Sequence, residues 1–202
     1  MNSIRTHLAV LLLAPVAIVA RPARADLNAQ QKEMVALAND LSKRCQAVME
    51  RWISNKEITR EKLFSFLYYP IIMDPPLAEP KYATDYDRLA DRDIQGLEET
   101  ALGKNPAIAF AVMLDKNGYI PTHNIRFSQP LTGNRAVDLL NNRTKIIHNH
   151  AVGLTAGRNE APFIFQIYRR DTGEILNEVS VPLSVAGVHW GAIRISYRPN
   201  GS

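Results

Sequence analysis

Cys45 is the only cysteine among 202 residues, so no intramolecular disulfide can form, and C-x-x-C redox pairs and C-x-x-C-H haem attachment are excluded. Its helical surroundings give it the part of a small apolar side chain. G-x-S-x-G, H-E-x-x-H and P-loop sequences are also missing, and with them the familiar signals of hydrolases, zinc proteases and nucleotide hydrolysis. The chain therefore reads as a binder and not as an enzyme, with no cofactor. No stretch supplies the roughly 20 apolar residues that cross a bilayer.

One charge sign hardly dominates either. Lys and Arg number 24 against 20 Asp and Glu, a formal +4. Three of the basic residues, Arg5, Arg21 and Arg24, sit in the first 25 positions. Arg5 and Arg21 flank "LAVLLLAPVAIVA" (8–20), and Arg24 is the middle residue of the small-x-small "ARA" (23–25). A basic n-region, a short apolar core and that ending predict an export signal cleaved near Ala25. Cleavage leaves 177 of the 202 residues, with 21 basic against 20 acidic, a net charge of about +1. Nucleic-acid binding driven by net charge loses its support, and the expectation is a soluble periplasmic domain.

Residues 26–104 read as a helical region. Met34, Leu37, Leu41, Cys45, Val48 and Trp52 recur every three or four positions, predicting a helix from about Gln30 to Ile53 with one apolar stripe. Such a stripe suits pairing with a second copy as a homodimer. A shorter helix is expected after Thr59, carrying Leu63, Phe64 and Leu67. "YYPIIMDPPLAEP" (68–80), with four prolines, should form an ordered loop, and a third helix should run from about Asp85 to Leu102, closed by Gly103.

Residues 105–202 change period. "AIAFAVMLD" (107–115) has Ile108, Phe110, Val112 and Leu114 on one face and alanines on the other, the pattern of a central strand. "DKNG" turns it into a short strand, "YIPTHN". Residues 128–160 are irregular and partly helical. "PFIFQIYRR" (162–170), "EILNEVSVPLSV" (174–185) and "VHWGAIRISYR" (188–198) then form a meander. The order predicts an α+β fold: a five-stranded antiparallel sheet, a long N-terminal helix, and a helical insert between strands 2 and 3 that encloses a cavity.

"DKNGYIPTHN", "SQPLTG", "NNRTK", "VGLTAGRN", "QIYRRDTGE", "VSVPL" and "HWGAIRISY", in that order, resemble a block found in bacterial methyl-accepting chemotaxis proteins. That block resembles a sensory domain of the Cache or PAS-like class and covers about residues 107 to 198. The resemblance implies a PAS-like sheet, a small-molecule ligand and a role in signal transduction or chemotaxis. Chemoreceptors also carry transmembrane helices and a signalling coiled coil; without them this chain needs a membrane-bound signalling partner. Where relatives place an aromatic and two acidic residues after Asn-Arg-Thr-Lys, this chain has His148, Asn149 and His150.

The candidate ligand-binding residues are polar or aromatic groups near the insert or inside apolar strands: His123, Arg143, Lys145, His148, His150, Tyr168, Trp190 and Arg194. The planar fork of Arg143 suits a carboxylate. Arg194, flanked by isoleucines and expected on one face with Trp190 and Ala192, needs an acid partner: Asp171, Glu178 or the ligand. A second reading makes the chain a metal-binding protein using His123, His148, His150 or His189. A third makes it an interaction domain with a filled core. "DKNG" is expected to be a turn rather than a calcium loop, because its glycine comes fourth, not sixth.

Overall fold

The computed structural model describes residues 18–20, 26–72, 79–170 and 173–199. Apart from Ile18–Ala20, the segment expected to be a signal peptide lies outside them, as do 73–78 of the proline-rich stretch and Asp171 and Thr172 of the "DTG" turn. Among the described residues no helix is long and apolar enough to cross a membrane.

Strand β1 (Ile18–Ala20) precedes helix α1 (Ala29–Ser54). The start of α1 is fixed by a reciprocal capping box. Asn28 Oδ1 accepts from Gln31 N at 2.8 Å, and Gln31 Oε1 accepts from Asn28 N at 3.0 Å. Met34, Leu41, Cys45 and Trp52 of the predicted stripe are buried, joined by Val35, Ala38 and Met49; Leu37 and Val48 are only partly covered. This stripe packs on the chain's own sheet. Each such large side chain contributes roughly 1.5–3 kcal/mol by leaving water.

The second helix, α2 (Arg60–Leu63), is capped as expected by Thr59 Oγ1, which accepts from Lys62 N at 3.3 Å. It is shorter than predicted, because the chain turns at Phe66 with φ +48°. The proline-rich stretch is not simply a loop: β2 (Tyr69–Ile71) pairs with β3 (Lys81–Ala83) as an antiparallel ribbon. The single helix predicted over 85–102 is divided at Ile94 into α3 (Asp87–Asp93) and α4 (Gln95–Leu102). There Asp93 turns back to accept from Trp52 Nε1 at 2.6 Å.

The main antiparallel sheet consists of four strands, β4 (Ile108–Asp115), β7 (Ile164–Arg169), β8 (Ile175–Val185) and β9 (Val188–Tyr197), in the order β7-β8-β9-β4. The three residues of β1 lie along the outer edge of β7. The predicted second strand does not join this sheet. Only Tyr119–Ile120 (β5) is extended, and it pairs with β6 (Ile146–Ile147) in a separate ribbon. Side chains occupy the edge of β4 that it was expected to cover: Ala111 N donates to Asn124 Oδ1 and Met113 N to Glu98 Oε1, both at 2.9 Å. Capped in this way, the edge offers those donors to no further strand.

The sheet has two unlike faces. Val179, Val181, Leu183 and Val185 point with Ile193, Ile195 and Tyr197 into the larger core under α1. Phe110, Val112, Leu114, Leu176 and Ala192 form a smaller cluster on the opposite face. The insert covers that face with a 3₁₀ turn (Ile125–Phe127), α5 (Arg135–Asn141), β6 and α6 (Ala151–Gly157). The expectation of α+β architecture with an insert between the second and third strands holds in this form.

Candidate functional site

Strand alternation puts Gln166 and Tyr168 of β7, Glu178 and Ser180 of β8, and Arg194 and Ser196 of β9 on the insert side of the sheet. There all but Ser180 form one buried network. Arg194 Nε donates to Glu178 Oε1 at 2.8 Å and Nη2 to Oε2 at 2.6 Å. Ser196 Oγ donates to Glu178 Oε2 at 2.7 Å, and Tyr168 Oη lies 3.1 Å from Ser196 Oγ. Gln166 Nε2 reaches Val152 O at 3.1 Å, tying the start of α6 to the sheet. Among the described residues Glu178 is the acid that Arg194 meets, through the paired geometry that makes a buried guanidinium tolerable; Asp171 lies outside them.

Between this network and the insert lies a cavity of about 230 Å³. Phe110, Ile120 and Val152 give it apolar surface. His123, His148 and His150 bring three imidazoles, Tyr168 a phenol, and Arg143, Arg170 and Arg194 three guanidiniums, while the exposed Arg169 borders it from β7. Glu79 is the one acid on the wall among the described residues; Glu178 and Glu174 sit behind it, against Arg194 and Arg170. Arg170 and Arg194 also stack near Phe110, with guanidinium carbons 6.0 and 5.7 Å from the ring centre.

Arg143 is held in place by its backbone. Its N–H donates to Phe127 O at 2.7 Å, and the buried ammonium of Lys81 donates to the carbonyls on either side, Asn142 O at 3.3 Å and Thr144 O at 2.6 Å. Burial pulls the Lys81 pKa down to about 8. Lys81, Arg169 and Arg170 were not among the predicted residues. The alternation Tyr168–Arg170 in "IYRR" was the available signal for Arg170. Lys81, some sixty residues away in sequence, left none.

Two glycines position His148. Its N–H donates to Gly118 O at 2.8 Å, and a Cβ at Gly118 (φ +87°) or Gly153 would lie 2.4 or 2.2 Å from its carbonyl oxygen. "DKNG" is therefore a turn, as expected, and its glycine is also a seat for the histidine. His150 caps α6, Nδ1 accepting from Gly153 N at 3.3 Å, while its Nε2 lies 3.3 Å from His148 Nδ1. That network assigns both tautomers: His150 carries its proton on Nε2 and His148 on its own Nε2.

The field in the cavity is positive. Burial, reinforced by Arg194, His150 and Arg143, holds His148 well below the ordinary imidazole pKa. Burial lowers His123 likewise, helped by His148, Arg143, Arg194 and Arg170. His123 is only 3% exposed, packs edge-on against Phe110 and Phe127, and accepts from Asn124 N at 2.8 Å through Nδ1. Burial also raises Tyr168 to about 12, so its phenol keeps its proton. The wall thus offers hydrogen-bond donors and positive charge with little to repel an anion.

Two predicted residues belong elsewhere. Lys145 does not line the cavity; its ammonium pairs with Asp91 at 2.8 Å and donates to Pro121 O. Trp190 faces the larger core, where its Nε1 donates to Leu63 O at 3.1 Å and its ring meets Tyr86. The shared face expected for Trp190 and Arg194 fails because β9 has a bulge. Leu183 pairs with Gly191 but Ser184 pairs with His189, leaving Trp190 as the extra residue and reversing the alternation before it. His189 is likewise apart, its Nε2 2.9 Å from Gly157 O. Among the described residues no group of three His, Cys, Asp or Glu side chains is arranged to hold a metal ion. No protein-family model matches the chain, and comparison with curated proteins finds none similar to it.

Proposed function

We propose that the cavity binds a small carboxylate-bearing molecule and that the chain is the ligand-binding domain of an exported sensory system of the Cache or PAS-like class. The single observation that carries this reading is the composition of the wall. Three arginines and three uncharged imidazoles border a space of about 230 Å³ in which Glu79 is the only acid among the described residues. At about 30 Å³ per water in the liquid, that space corresponds to roughly eight waters. It matches an organic acid with a comparable number of non-hydrogen atoms. The ordered motifs that resemble chemoreceptor sensory blocks support the sensory role, with a membrane-bound partner carrying the signal onward.

Organic acids and amino acids are screened by thermal shift, because a ligand that binds only the native state raises its melting temperature. The reading expects one or more carboxylates to do so, and the shift to disappear in a folded Arg143→Ala protein. A flat screen, or a shift that survives in Arg143→Ala, counts against it.

A further inference from the structure

The His148–His150 pair lies where the cavity wall becomes the first turn of α6, and its hydrogen bonds have only one consistent arrangement. Gly153 N–H occupies the lone pair on His150 Nδ1, so the His150 proton is on Nε2 and points at His148 Nδ1. The remaining nitrogen of His148, Nε2–H, is the donor left for the cavity that this ring lines. An anion accepting from that N–H makes the ring more basic at Nδ1. The arriving proton then meets the proton already on His150 Nε2, and two N–H groups cannot face each other at 3.3 Å. Relief requires His150 either to swing away or to move its own proton to Nδ1. In both cases the bond to Gly153 N–H is lost.

We propose that anion binding in this cavity is coupled to the uptake of one proton by His148, and that this proton withdraws His150 from the N-terminus of α6. The inference rests on the carboxylate reading given above and adds what the site does when filled. The proton comes from solvent and ends on His148 Nδ1; no bond other than N–H bonds and hydrogen bonds changes.

The surroundings set the direction. Arg194 from β9, Arg143 and Lys81 from the segments beside the ribbon, and His123 from beyond β5 all disfavour a charged imidazole, whereas Glu178 of β8 favours it at His150. Burial first, and these cations second, keep His148 neutral, and a bound negative charge offsets the cations and gives the buried imidazolium a partner. Because the backbone of His148 is clamped against Gly118 and Gly153, the ring cannot retreat far, and the adjustment falls on His150. Val152 O is meanwhile held by Gln166, so a loosened cap is felt at the junction of α6 with the sheet.

The test uses the full chain labelled with ¹⁵N, and succinate as the probe, with the other carboxylates of the screen in reserve. Calorimetry in two cationic buffers of different ionisation enthalpy counts protons, imidazole ¹⁵N shifts report the tautomers, and hydrogen exchange reports the Gly153 amide. The expected result is uptake of about one proton per bound anion and affinity falling up to about tenfold per pH unit above neutrality. The His148 ring should become doubly protonated, and protection at Gly153 should fall. His148→Gln should bind without proton uptake. His150→Asn, which keeps a capping side chain, should take up the proton while protection at Gly153 no longer changes. Binding without proton uptake in the wild-type chain, or with Gly153 protection unchanged, overturns the proposal and leaves the carboxylate site standing. Failure of every carboxylate to bind removes the site and the proposal together.

Discussion

The guanidinium of Arg194 and the carboxylate of Glu178 meet fork to fork on the buried side of the sheet, at 2.8 and 2.6 Å, with Ser196 closing the remaining acceptor site. Neither residue is more than 4% exposed in its side chain. A pair so placed is costly to assemble but more costly to break. Glu178→Ala should lower stability by about 3–5 kcal/mol, whereas the apolar double replacement Arg194→Met with Glu178→Leu should recover most of that. Urea unfolding of the wild type and the two variants checks it; equal losses in the single and double variants contradict it.

Gly153→Ala should be destabilising by about 1–3 kcal/mol, the usual range for forcing atoms into packed structure. The added methyl meets His148 O at 2.2 Å, and His148 Cβ lies next at 2.8 Å. Affinity for the cavity ligand should fall as well, because His148 is displaced. Thermal melts and ligand titration of the variant test both halves.

Trp190→Ala should cost about 3–5 kcal/mol, as expected for a large aromatic removed from a core. It should leave ligand affinity nearly intact in the folded fraction, since the indole packs on Tyr86 and Phe66, across the sheet from the cavity. A folded Trp190→Ala protein that has lost its ligand contradicts the assignment of faces.

His123 supplies a pH dependence. Its folded pKa lies well below the ordinary 6.5, chiefly because it is buried. As pH falls below about 6.5 the unfolded chain binds a proton that the folded chain refuses. The contribution of His123 to stability is therefore complete above that pH and declines below it, by up to about 1.4 kcal/mol per pH unit until the folded pKa is reached. Stability against pH for the wild type and His123→Asn should diverge on the acid side. Parallel curves between pH 6.5 and 5 contradict the buried neutral state.

Much of this architecture could be read from local pattern. The period of α1, the alternation of dry and polar positions in β8, and the turn at Gly118 each depend on neighbours within a few residues, and each appears where expected. Arg143, His148 and His150 were legible as cavity residues because they fall in the one stretch that must cover the sheet. What could not be read depended on a single insertion or a distant partner. The bulge at Trp190 reverses a face without altering composition. The pairing of Tyr119–Ile120 with Ile146–Ile147 depends on side chains of Glu98 and Asn124 having taken the edge of β4. Lys81 reaches the Arg143 segment only through the ribbon of β2 and β3.

The most direct measurement of the central claim is a thermal-shift titration of the wild-type chain and Arg143→Ala with the carboxylates of the screen. At about 100 times its dissociation constant a true ligand adds about 2.7 kcal/mol to native stability, which raises the melting temperature of a chain this size by roughly 5–10 °C. The account predicts such a rise for at least one carboxylate in the wild type and its loss in Arg143→Ala. No rise with any of them, or an equal rise in both proteins, contradicts it.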